Sequence, residues 1–162
     1  MLGKLKSAVE IAAIAAQARR NDQIVVFTNG CFDLVHRGHV HLLRAAKAAG
    51  DLLVVALNSD RSIREIKGPT RPIMPETDRI ELIAAMEMVD CVVIFDEPEP
   101  TALIDAIKPD VLVKGADWNA DKVVGADLVE KSGGRVVRIP YLQGFSSSEI
   151  IERVVKQHGE SM

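Results

Sequence analysis

The chain has 162 residues, with 20 Lys and Arg against 23 Asp and Glu, a formal charge of −3. At 48% hydrophobic and 27% charged residues it reads as a globular chain long enough to bury a sizeable core, which excludes disordered, collagen-like and coiled-coil classes. No apolar run approaches the roughly 20 residues that span a bilayer, two cysteines, Cys31 and Cys91, cannot frame a disulfide scaffold, and a mildly acidic chain without a Lys/Arg block is a poor match for a nucleic-acid backbone.

Taken in chain order, Leu5–Arg19 patterns as an amphipathic helix. Its apolar stretch Ile11–Ala18 is followed by Arg19 and Arg20, not by an Ala-x-Ala cleavage site, which speaks against a signal peptide. Five short, mostly β-branched runs come next: Ile24–Thr28, Leu52–Asn58, Cys91–Phe95, Val111–Lys114 and Arg135–Ile139. Near-continuous apolarity over about five residues marks strands buried on both faces, as in a parallel sheet. Helical spacing fills the gaps at His39–Ala49, which Gly50 stops, at Glu76–Val89 after Pro75, and at Thr101–Ile107 before Lys108-Pro109. A last helix opens at Phe145–Ile151. Strand–helix alternation with right-handed crossovers predicts an α/β fold with a doubly wound, five-stranded parallel sheet of the Rossmann-like kind. The whole chain, 1–162, reads as one cytoplasmic domain: an N-terminal helix over 1–21 and a core over 22–155.

Ligands of such sheets sit beyond the carboxyl ends of the strands. After the first strand the chain reads Thr28-Asn29-Gly30-Cys31-Phe32-Asp33-Leu34-Val35-His36-Arg37-Gly38-His39. This is neither G-x-G-x-x-G nor a Walker A loop. It offers His-x-Gly-His at a helix N-terminus, where free N–H groups and a dipole of roughly +0.5 charge attract anions. Gly38 lets a phosphate approach the backbone, and Gly30 permits a tight turn out of the strand. Zinc on these histidines is set aside, because His41 would point off another face and His158 lies at the far terminus.

Thr-x-Gly-x-Phe-Asp-x-x-His-x-Gly-His resembles the signature of the cytidylyltransferase-like nucleotidyltransferases. Phe27–Asp33, Leu57–Asp60, Lys67-Gly68-Pro69-Thr70-Arg71-Pro72-Ile73, Val89-Asp90, Pro109–Gly115 and Gly144–Ile151 resemble, in order, the adenylyltransferase domain of the bifunctional heptose kinase/adenylyltransferases of lipopolysaccharide precursor synthesis. Ala116 and Trp118 stand where many of those relatives carry Gly and Tyr.

The resemblance implies transfer of AMP from ATP to D-glycero-D-manno-heptose 1-phosphate, with Mg²⁺ carried mainly on the ATP phosphates and no protein metal site. It also implies a homodimer and a separate heptose kinase upstream, with no membrane or nucleic-acid partner. Catalysis would fall to His36, His39, Lys67 and Arg79. The nucleotide would meet Thr28, Asn29, Gly30, Cys31, Phe32, Asp33, Gly38, Lys114, Gly115, Asp117 and the hydroxyls of Ser146, Ser147 and Ser148. The acceptor would meet Asn58, Asp60 and Arg71. Read from the residues alone, several of these have a second role open to them. Asp33 orients a histidine or caps its turn, Asn58 and Asp60 reach the sugar or form a turn, Arg79 meets phosphate or solvent, and Trp118 stacks or packs. Two other functions compete: a CTP-dependent enzyme acting on glycerol 3-phosphate or ethanolamine phosphate, and a nucleotide-binding module without turnover. The first expects Arg and Glu where Tyr141-Leu142-Gln143-Gly144 stands.

Overall fold

A computed structural model of the chain describes residues 2–116 and 123–159. The five predicted strands form one sheet: β1 (Val25–Gly30), β2 (Leu52–Asn58), β3 (Cys91–Phe95), β4 (Val111–Ala116) and β5 (Arg135–Pro140). All pairings are parallel, in the order β3-β2-β1-β4-β5. The order reverses between β1 and β4, so the ligand crevice of this doubly wound sheet lies beyond Gly30 and Ala116.

Both faces are covered, which is why the strand sequences are apolar throughout. On one face α1 (Ala8–Arg20), α5 (Thr101–Ile107) and α6 (Ala126–Lys131) bury Ile11, Ile104, Ile107 and Val129 against Val25, Phe27, Val54 and Leu112. On the other, α2 (Arg37–Lys47) and α4 (Glu76–Ala84) bury Leu43, Ala46 and Ile83 against Val26, Leu53, Val55 and Val113. Ser7 caps α1 in a reciprocal box with Glu10.

Two helices were not legible beforehand. Asp60, which the sequence leaves between reaching the sugar and forming a turn, opens α3 (Asp60–Lys67), which Ser59 caps by accepting from the Ser62 N–H and Gly68 ends at φ 92°. The six-residue α6 lies between Gly125 and Gly133. The helix predicted over Glu76–Val89 stops at Ala84. The last helix is α7 (Ser147–His158).

At the amino edge of the sheet, away from the crevice, aspartates tie down strand starts. Asp51 accepts from the Ile24 N–H, Asp110 from Val25 and Asp90 from Leu53, with the Lys47 ammonium 2.6 Å from Asp90. The Val89-Asp90 and Pro109-Asp110 segments therefore position the fold.

Candidate active site

The crevice is two adjoining cavities at the carboxyl edge. The larger, about 590 Å³, lies between the N-termini of α2 and α7 and is lined by His36, Gly38, His39, Lys67, Tyr141 and Ser146–Ser148 among others. The smaller, about 260 Å³, is lined by Asn29, Gly30, Cys31, Phe32, Asp33, Lys114 and, shared with the larger, His39, Leu42, Lys67, Gly115, Tyr141 and Ser147.

His36 is the N-cap of α2. Its Nδ1 accepts from the Gly38 N–H at 3.1 Å, while the His36 N–H donates to His39 Nδ1 at 3.4 Å. A neutral imidazole that accepts at Nδ1 carries its proton on Nε2, so the hydrogen-bond network assigns the Nε2–H tautomer to both rings. The rings stack with centroids 3.8 Å apart, and the Phe32 ring, 2% exposed, supports His39 from 5.1 Å. Burial, then the neighbouring His36 and Lys67, push His39 down to about 4 against a smaller opposing pull from Asp33. Burial lowers His36 as well, opposed by Glu149. The pair therefore offers fixed, uncharged donors at neutral pH.

A Cβ on Gly38 would stand 2.9 Å from His36 Cε1 and 3.1 Å from the Phe145 carbonyl, so this glycine is set by close packing. Gly30 corrects an expectation: the left-handed residues after β1 are Phe32 and Leu34, both at φ 49°, and Gly30 instead makes room for the Phe32 ring.

At α7 the three serines divide their work. Ser146 accepts the Glu149 N–H as N-cap, Ser147 donates to the Asp33 carbonyl, and Ser148 is exposed beside the cavity. Arg37 lies over the Phe145 ring at 5.5 Å, a second link between α2 and the approach to α7.

Asp33 is 1% exposed. Its carboxylate accepts from the Ile73 and Met74 N–H groups and from Arg71 Nε, with Arg71 Nη2 at 2.6 Å. Burial alone would raise this carboxyl, but those donors outweigh it and hold it below the usual range. Asp33, expected at the nucleotide, and Arg71, expected at the acceptor, lock the loop after Lys67 onto the loop after β1; Asp33 lines the smaller cavity and Arg71 lines neither.

Arg79, expected among the catalytic residues, has its guanidinium held by the protein itself. It is fully buried, donating to the carbonyls of Met74, Cys31 and Asn58 and to the Asp60 carboxylate at 2.8 Å. Arginine suits this junction because its planar fork satisfies several oxygens at once. Asp60 is taken up by Arg79, and the Asn58 amide by the Ser62 hydroxyl. Neither lines either cavity of the crevice, and nor does Thr28, fully buried within β1. Asp117 and Trp118 lie outside the described residues.

Lys114 donates to the Asn29 side-chain oxygen across the β1/β4 switch. Tyr141, absent from the sequence-based set, lines both cavities and donates to the Gly115 carbonyl at 3.1 Å. Its place directly after β5, on the ligand edge, is the signal that could have found it.

The family model described as cytidylyltransferase-like matches residues 27–153. The chain is 51% identical over 150 residues to the bifunctional protein HldE of Koribacter versatilis, covering 93% of this chain and 31% of that protein. It is 47% identical over 157 residues to the HldE of Geobacter sulfurreducens, covering 97% and 32%. It therefore spans about a third of the length of these curated relatives. Among solved structures, the lipopolysaccharide core biosynthesis protein from Thermoplasma volcanium is 31% identical, with a TM-score of 0.60 over 74% of this chain and 97% of that one. A pantoate-beta-alanine ligase from Francisella tularensis shares the fold at 14% identity, with a TM-score of 0.60 over 98% and 81%.

Proposed function

The chain belongs to the cytidylyltransferase-like nucleotidyltransferases, and from that premise we propose that it transfers AMP from ATP to D-glycero-D-manno-heptose 1-phosphate. The products would be ADP-heptose and pyrophosphate, precursor chemistry for lipopolysaccharide or another surface glycan. The observation that carries this reading is the pair of uncharged, tautomer-fixed histidines facing the serine-rich start of α7 across one cavity. The choice of adenosine and of heptose rests on similarity to proteins named HldE and to a lipopolysaccharide core biosynthesis protein.

An acceptor phosphate oxygen would attack the α-phosphorus in line. One P–O bond forms, the bond to the β-phosphate bridge breaks, and pyrophosphate leaves. The barrier comes from bringing anions together and from charge growing on the phosphoryl oxygens, so positioning and pre-arranged donors supply the catalysis. His36 and His39 would give Nε2–H bonds to those oxygens without needing protonation. Lys67, at the end of α3 and lining both cavities, would neutralise the approaching phosphates. Ser148 and the N–H groups that open α7 would hold the departing pyrophosphate. The acceptor phosphate is already ionised at neutral pH, so no general base is required.

Among the described residues no cluster of three or more His, Cys, Asp or Glu could hold a metal, and the cleft presents mainly neutral and cationic donors. That donor set fits Mg²⁺ carried by the ATP phosphates, where it would supply charge neutralisation.

Pyrophosphate release with Mg²⁺, comparing ATP and CTP across heptose 1-phosphate, glycerol 3-phosphate and ethanolamine phosphate, tests the reading. Turnover confined to ATP with heptose 1-phosphate is expected. Preference for CTP, or nucleotide binding with no turnover on any acceptor, would overturn it.

A further inference from the structure

The smaller cavity holds a lysine, Lys114, with no carboxylate among the described residues in ion-pair distance. Among those residues Lys114 has a single hydrogen-bond partner, the neutral side-chain oxygen of Asn29. The one carboxylate lining this cavity, Asp33, is already engaged by Arg71 and two backbone amides. Burial pushes the Lys114 ammonium down to about 8, with Glu99 opposing from a distance. A desolvated cation is costly unless something pairs with it, and the wall it shares with Lys67 is otherwise free of negative charge.

Position narrows the occupant. Asn29 and Lys114 lie on β1 and β4, the two strands that flank the reversal of strand order. The two helix N-termini and the serines, suited to a triphosphate, line the larger cavity. The smaller has less than half that volume, and it opens onto the larger through His39 and Lys67. An anion held there would lie next to the histidine cavity, because His39, Lys67 and Ser147 line both.

We propose that Lys114, oriented by Asn29, binds the phosphate of the acceptor in the smaller cavity, which Lys67 also lines. The sequence-based assignment of Lys114 to the nucleotide is thereby replaced. The inference deepens the proposed transfer reaction and rests on it.

The test compares the wild-type chain with Lys114→Met, which keeps the length and removes the charge. Both are first checked for equal thermal unfolding. With ATP, Mg²⁺ and heptose 1-phosphate, the variant's KM for the acceptor should rise about 10–100-fold, the scale of one charged hydrogen bond, while its KM for ATP stays within about threefold. In the wild type, kcat/KM for the acceptor should fall above about pH 8 as Lys114 loses its proton, and this fall should be absent from the variant. A purely structural role would not move that limb. An unchanged acceptor KM, or a rise in the ATP KM as large as that for the acceptor, would overturn the assignment.

If heptose 1-phosphate is not turned over, the transfer reading fails separately. Titration calorimetry with inorganic phosphate on the complex with α,β-methylene-ATP then decides the site. Binding by the wild type and its loss in Lys114→Met support it, whereas equal binding, or none to either, overturns it.

Discussion

The His36 and His39 rings lie 3.8 Å apart with their planes 23° from parallel, and each uses Nδ1 as an acceptor within the first turn of α2. Two imidazolium charges could not share that space. The site is therefore built around neutral donors, and their pH behaviour follows. Imidazole NMR titration should show His39 unprotonated from pH 8 to 6, with its transition near the value of about 4. The unfolded ring titrates near 6.5. Between about 6.5 and 4 the unfolded chain binds the extra proton, so stability falls as pH drops through that window. His39→Ala should remove this part of the slope.

His36→Ala and His39→Ala should each lower turnover by roughly 10²–10³, the scale of losing one transition-state donor. Single-turnover pyrophosphate release checks it. Near-normal turnover in a folded variant would contradict the role.

Asp33→Asn should destabilise the fold by about 3–5 kcal/mol, because it leaves the Arg71 guanidinium buried without its counter-charge. Urea unfolding at pH 7 measures the loss. The folded Asp33 carboxyl sits below its unfolded value, so the wild type holds this stability above about pH 4 and loses it as pH falls through the lowered value. The variant should lack that acid slope.

Arg79→Met separates a buried clamp from a phosphate ligand. Loss of a guanidinium that serves three carbonyls and a carboxylate should cost at least about 3 kcal/mol in urea unfolding. A solvent-facing phosphate ligand would instead leave stability within about 0.5 kcal/mol and act on kcat/KM alone.

Gly38→Ala sets propensity against packing. Alanine favours a helix by up to about 1 kcal/mol over glycine, yet its Cβ would press on His36 Cε1 and the Phe145 carbonyl. Thermal stability should change little, while turnover falls about 10–100-fold as His36 is displaced. Full activity would show that the ring position is not critical.

Much of this fold is legible in local sequence. Local apolar runs specify buried parallel strands because a strand covered on both faces has no polar side. Asn29-Gly30-Cys31-Phe32-Asp33 and His36-x-Gly38-His39 specify the loop because their turn, caps and ring stack are contacts within a dozen residues. The helix α3 carries no clear apolar period because it is eight residues long and its apolar face rests on Ile63 alone among fully buried apolar side chains.

What the sequence by itself determined was the doubly wound sheet, its ligand edge, and the His-x-Gly-His and serine-rich helix starts as candidates there; that they line one cavity is a tertiary fact. Only the tertiary structure decided what the charged residues do. Arg71, Arg79 and Lys114 look alike as isolated cations able to meet a phosphate, and Asp33 and Asp60 as isolated carboxylates. Their roles depend on partners 19 to 85 positions away in the chain. A guanidinium packed among carbonyls is structural, while an ammonium whose hydrogen-bond partner among the described residues is an amide oxygen is where the proposed acceptor phosphate would pair. That difference lies in solvation and in long-range neighbours, which no local pattern encodes.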